Sequence, residues 1–123
     1  MARILVIEDE APIRSNLLRF VRLEGHQAIE AVDGLAGLLA ARTESPDLIF
    51  CDVMMPQMDG MEVLAAIQNE AALKHIPFIF LSASAESEKL DEALRLGARG
   101  YVTKPFNFAQ LQVVLKQYLP ASE

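Results

Sequence analysis

At 123 residues and 13.6 kDa the chain is one domain's worth against the usual roughly 100–150 residues, and surface scaling gives ~6,600 Å² folded against ~19,700 Å² unfolded, enough for an unaided core. Apolar residues make up 52% and charged residues 23%, and no run approaches the ~18 apolar residues of a membrane span, which argues against a disordered or membrane-spanning chain. Eleven basic against seventeen acidic residues leave a net charge of −6, so the domain as a whole repels phosphate backbones and direct nucleic-acid binding is disfavoured.

Met1 to Arg3 lead straight into Ile4-Leu5-Val6-Ile7, too short and too soon followed by acids for a secretion signal, so a cytoplasmic protein is expected. Ile4 to Ile7 is a continuous run rich in β-branched residues and predicts a buried parallel strand. Ile13, Leu17, Phe20 and Val21 then recur at three and four, with Pro12 suited to a first helical position, and predict a helix. His26 to Ala31 is less apolar, as befits an edge strand.

Asp33 is a good cap for a second helix from about Gly34 to Thr43, whose stripe is Leu35, Leu38 and Leu39. Asp47 to Cys51 reads as the third strand, and Cys51 as a small buried hydrophobe, since one cysteine makes neither an internal disulfide nor a zinc site. A third helix opens at Gly60 and carries Val63, Leu64, Ile67 and Ala71. Pro77 to Leu81 is the fourth strand, and a helix around Ser87 to Leu96 follows, with Leu90, Ala93 and Leu94 as its stripe and Gly97 as its stop. Gly100 to Val102 is the fifth strand, and Phe108, Leu111, Val114, Leu115 and Tyr118 line one face of the last helix. His26 and His75 lack ligand spacing and read as structural or exposed.

Five strands alternating with five helices predict a doubly wound α/β sandwich with right-handed crossovers. The domain is expected to occupy residues 1–119, with 120–123 a tail or the start of a linker. Ligands of such sheets bind beyond the carboxyl ends of the strands, where strand order reverses. Glu8, Asp9 and Glu10 follow the first strand, Asp52 the third, Ser82 the fourth, and Thr103, Lys104 and Pro105 the fifth. An order of 2-1-3-4-5 brings Glu8, Asp9 and Asp52 into one pocket, where carboxylates so close need a cation, and hard oxygen ligands suit Mg²⁺ or Mn²⁺. Asp52 stands alone at its strand end and is the candidate nucleophile toward phosphorus, with Lys104 and Ser82 able to donate to phosphoryl oxygens.

Four motifs then carry a resemblance over essentially the whole chain: Ile7-Glu8-Asp9; Leu48-Ile49-Phe50-Cys51-Asp52-Val53-Met54-Met55-Pro56-Gln57-Met58-Asp59-Gly60; Leu81-Ser82-Ala83; and Gly97-Ala98-Arg99-Gly100-Tyr101-Val102-Thr103-Lys104-Pro105-Phe106. In that order they resemble the receiver domain of the response regulator family of two-component signalling, whose fold is a flavodoxin-like (βα)5 three-layer sandwich. The resemblance implies Asp52 as phosphoacceptor, Glu8 and Asp9 as the metal-binding acidic pair, and the Met54 backbone carbonyl as a further metal ligand. It also implies Ser82 and Lys104 as the switch hydroxyl and lysine, Tyr101 as the aromatic switch, and a cis Lys104–Pro105 bond. Glu8 stands where aspartate is common, and Met54 and Ser84 occupy variable positions.

By the same resemblance a histidine kinase or histidine phosphotransfer protein donates the phosphoryl group, docking on the first helix. A downstream protein or fused effector reads the fourth helix, fifth strand and fifth helix, and a phosphorylation-linked dimer is allowed. Such a domain catalyses its own phosphorylation and dephosphorylation without being a turnover enzyme. Two alternatives stay open: the N-terminal receiver part of a longer DNA-binding regulator, and a constitutive interaction module. A flavin or nucleotide binder lacks its glycine pattern here, and a phosphohydrolase would need a side-chain acid or base where Met54 stands.

Overall fold

The computed structural model describes residues 1–83 and 87–119, except for the side chains of residues 87–89. The apolar runs form five strands: β1 (Arg3–Ile7), β2 (Gln27–Ala31), β3 (Leu48–Asp52), β4 (Phe78–Ala83) and β5 (Gly100–Lys104). Between and after them lie α1 (Ala11–Leu23), α2 (Gly34–Glu44), α3 (Gly60–Gln68), α4 (Ser87–Arg95) and α5 (Phe108–Tyr118). All strand pairs are parallel, in the order β2-β1-β3-β4-β5, so β1 and β3 meet where the winding reverses.

Successive strand residues face opposite sides of a sheet, and each side has its own core. Ile4, Val6, Leu48, Phe50, Ile79 and Leu81 pack with Leu17, Phe20 and Val21 of α1 and Leu111, Val114 and Leu115 of α5. Leu5, Ile7, Ile49, Cys51, Phe78 and Phe80 pack with residues of α2, α3 and α4, including Leu38, Val63, Leu64, Ile67 and Ala93. Three layers result, as expected for a sheet buried on both faces.

Local chemistry fixes the helix starts. The Asp33 carboxylate accepts the Ala36 N–H at 2.8 Å, as expected of a cap. Asp59 with Glu62, and Asn107 with Gln110, form reciprocal capping boxes at α3 and α5. Cys51 is fully buried and unbridged, the His26 Nδ1 accepts the Ala2 N–H at 3.0 Å, and His75 is exposed.

Five details correct the sequence reading. In α2 the expected stripe is displaced: Leu35 and Leu39 are 64% and 60% exposed, while Gly34, Gly37, Leu38 and Ala41 are buried. A Cβ on Gly37 would collide with the Ile7 side chain, so the helix is phased by glycines that allow close approach to β1 rather than by its leucines. Ala71 lies past the end of α3 and is exposed, and Leu73 and Ile76 of the following turn fill the core instead. Leu94 is exposed on α4, whose contact is carried by Leu90 and Ala93. Finally, β4 and β5 each run two residues beyond their apolar stretches, pairing Ser82 with Thr103 and Ala83 with Lys104, while Pro12 is the second residue of α1 rather than the first. The 120–123 tail and Ser84 lie outside the described residues.

Candidate phosphoacceptor site

The strand extensions carry the site. Glu8 continues β1, its N–H donating to the Ala31 carbonyl at 3.2 Å, and Asp52 ends β3 opposite Leu81. Lys104 ends β5, and its ammonium reaches back across the sheet edge to lie 3.2 Å from Glu8 Oε1, 3.2 Å from Asp52 Oδ1 and 3.9 Å from Glu10 Oε1. Glu8 is fully buried and Asp52 almost so, whereas Glu10 is open to water. Gly60 begins α3 directly beneath: a Cβ there would strike the Asp52 carbonyl oxygen and the Phe80 ring, so only glycine lets the helix start against the acidic strand end.

Burial first, then the hydrogen bond and charge of Asp52, push the Glu8 carboxyl up to about 8, against the opposing Glu10 N–H and Lys104. Asp52 is also raised by burial, with Glu8, Lys104 and the Met54 backbone hydrogen bond holding it down. Burial alone would lower Lys104, but the charges of Asp52 and Glu8 outweigh it and raise the ammonium. The Glu8–Asp52 pair thus holds a proton well above the ordinary carboxylate range.

Oxygens of Glu8, Glu10 and Asp52 lie within 4.8 Å of one another, an all-oxygen group of the kind that suits a hard divalent cation. Glu8 Oε1 is buried with no hydrogen-bond partner among the described residues, the Lys104 ammonium lying 3.2 Å away as a charge. Asp9 Oδ1 is likewise buried without a hydrogen-bond partner, although Asp9 stands outside the three-carboxylate group. These buried oxygens without hydrogen-bond partners and the all-oxygen donor set fit a cation. Ser82 is fully buried and its Oγ has no hydrogen-bond partner among the described residues, Tyr101 is 47% exposed, the Met54 side chain is exposed, and the Lys104–Pro105 bond is cis.

Two residues of the site were not singled out by sequence reading. Glu10 was seen only as the acid following Asp9, yet its carboxylate joins the cluster. Arg14 donates to the Glu8 and Asp9 carbonyls at 2.9 and 3.4 Å and to Glu30 at 2.7 Å, tying down the acidic loop. Its signal was position: side chains in the first turn of a helix lean back toward its N-terminus, here toward the loop.

An open parallel sheet with buried carboxylates at its switch point and a lysine and hydroxyl on the neighbouring strand ends defines a module built around an anionic centre. The chain belongs to the response regulator receiver domain family of two-component signalling, which it matches over residues 4–116. It is 33% identical over 118 residues to sporulation initiation phosphotransferase F of Bacillus subtilis, covering 96% of this chain and 94% of that protein. It is 34% identical over 122 residues to the phosphate regulon transcriptional regulatory protein PhoB of Escherichia coli, covering 96% of this chain and 53% of that protein. The structure of the Vibrio cholerae chemotaxis protein CheY4 superposes with a TM-score of 0.91 at 32% identity, over 97% of this chain and 99% of that one. The chain spans about half the length of the PhoB and PhoP regulators it matches. Among the described residues no helix is long and apolar enough to cross a membrane.

Proposed function

We propose that the domain accepts a phosphoryl group on Asp52 from the phosphohistidine of a kinase or phosphotransfer protein, and that the modification switches a protein-binding surface. The observation that carries this is the Lys104 ammonium 3.2 Å from Asp52 Oδ1, with the buried Ser82 paired to Thr103 at the neighbouring strand ends. A carboxylate oxygen of Asp52 forms the new bond to phosphorus as the bond from phosphorus to the donor imidazole nitrogen breaks. The electron pair leaves with the imidazole, and the product is an acyl phosphate. Lys104 turns from the carboxylates to a phosphoryl oxygen, and the Ser82 hydroxyl donates to another, so charge developing on the group meets preorganised donors.

Glu8, Asp9, Asp52 and the Met54 carbonyl would hold Mg²⁺, or Mn²⁺, which when bound neutralises charge on the phosphoryl oxygens. Glu8 gives up its proton when it serves as a cation ligand. A depression of about 330 Å³ lined by Ile13, Asn16, Lys104, Pro105 and Phe106 adjoins the site and suits a donor docked along α1. Tyr101, exposed before modification, turns inward once Ser82 engages the phosphoryl group, which changes the face made by α4, β5 and α5. That face is read by a protein target or fused effector, and we read the domain as a cytoplasmic signalling acceptor and not a turnover enzyme.

The test is intact mass after incubation with Mg²⁺ and a small phosphodonor. One phosphoryl mass should appear on the native chain and be absent from Asp52→Asn and from chelator-treated protein. No gain where Mg²⁺ demonstrably binds would leave a constitutive interaction module.

A further inference from the structure

Glu10 occupies the N-cap of α1, a position where Ser, Thr, Asp or Asn would satisfy a free helix N–H. Its backbone is extended as a cap's is, at φ −85 and ψ 114, but its side chain makes no capping hydrogen bond. The carboxylate turns the other way, to 3.9 Å from Lys104 Nζ and within 4.8 Å of the Glu8 and Asp52 oxygens. It is also the outermost of the three, 62% exposed where Glu8 is sealed and Asp52 nearly so. The most exposed carboxylate of the cluster around Asp52 thus serves no helix-capping purpose.

We propose that Glu10 is a positioning residue that screens the mouth of the site, holding Lys104 from the solvent side and repelling anionic phosphodonors that arrive without a partner protein. The proposal rests on the reading of Asp52 as the acceptor. The bond changes are those given above, and Glu10 neither gives nor takes a proton or phosphoryl group. Its field acts on the approach. A small donor meets Glu10 unshielded, and the more negative the donor, the larger the penalty. A protein donor buries the mouth as it docks and can bring its own cationic groups to the carboxylate. Because Glu10 faces water, the effect is modest and screened by salt.

The experiment measures phosphorylation rates of the Mg²⁺-loaded native chain, Glu10→Gln and Glu10→Asp with acetyl phosphate and with phosphoramidate, which carries less negative charge at neutral pH. Each is run at low salt and at about 0.5 M salt, where the screening length falls to a few ångström. Glu10→Gln should speed the acetyl phosphate reaction about two- to four-fold at low salt, speed the phosphoramidate reaction less, and lose the gain at high salt. Glu10→Asp should stay close to the native rates, and the melting temperature of Glu10→Gln should shift by no more than loss of an exposed ion pair allows, since the side chain caps nothing. Equal rates, a slower variant, or one factor common to both donors and both salts would overturn the proposal. If the native chain takes up no phosphoryl group from either donor, the acceptor reading falls and this proposal with it.

Discussion

Glu8 and Asp52, far apart in sequence, hold one ammonium between them: Lys104 Nζ lies 3.2 Å from an oxygen of each. The three groups are interdependent, because removing the cation leaves two buried carboxylates facing one another. Lys104→Ala should therefore cost about 1–3 kcal/mol in metal-free protein at pH 8. At pH 6 the loss should be smaller, since the Glu8–Asp52 pair is then more fully relieved by its shared proton. Urea denaturation at the two pH values checks this, and an equal loss at both would contradict it. Phosphoryl uptake should fall by about 10²-fold or more with the loss of the donor.

The Glu8 proton gives a pH dependence of defined sign. Its folded value of about 8 lies above the ordinary 4.5, so its contribution to stability is full below the ordinary value and is lost as pH rises through about 8. Asp52, also raised, acts in the same direction. The metal-free domain should thus lose stability between about pH 5 and 8.5, and Glu8→Gln should lose less over that window. Mg²⁺ affinity should rise over the same range, because binding expels a proton. Denaturation with a chelator present and titration calorimetry in two buffers of different ionisation enthalpy measure the two effects. A stability curve that rises through this window would refute the assignment.

Gly60 ties the start of α3 to the phosphoacceptor strand. Gly60→Ala puts a methyl group against the Asp52 carbonyl and 2.7 Å from Phe80, and should cost about 1–3 kcal/mol while slowing phosphoryl uptake. Thermal melting and the uptake rate should move together. A variant as stable and as active as the native chain would show that the strand end tolerates displacement.

The phase of α2 is tested by two leucines one residue apart. Leu38→Ala should cost about 2–4 kcal/mol, whereas Leu39→Gln, at an exposed position, should stay within about 0.5 kcal/mol of the native chain. A cost at Leu39 as large as that at Leu38 would restore the leucine stripe expected from sequence.

Much of the architecture was readable because parallel strands buried on both faces are continuous apolar runs, as in Leu48 to Cys51, and because Asp33 and Gly60 mark their helix starts chemically. Helix α2 was misread where its close approach to Ile7 selects glycine, a residue that leaves no mark in a hydrophobic pattern. The ends of β4 and β5 were missed because Ser82, Thr103 and Lys104 are polar yet stay in the ladder, the requirement of a site at the strand ends. Within the site the sequence expected Glu8, Asp9 and Asp52 in one pocket with Lys104 near; Glu8, Asp52 and Lys104 do meet, while Glu10 rather than Asp9 is the third carboxylate of the cluster. The turn of Glu10 away from its cap, and the reach of Arg14 back to the loop carbonyls, depend on side-chain direction after β1, which spacing alone does not encode.

The most direct test of the account is where the phosphoryl group sits. The domain is phosphorylated in Mg²⁺ and reduced with borohydride, which converts an aspartyl phosphate to homoserine, and the peptides are mapped by mass. The account predicts homoserine at position 52 alone, and none in chelator-treated protein. Homoserine at position 9, or at position 8 or 10 the 5-hydroxynorvaline that a reduced glutamyl phosphate leaves, with position 52 unreduced, would contradict it.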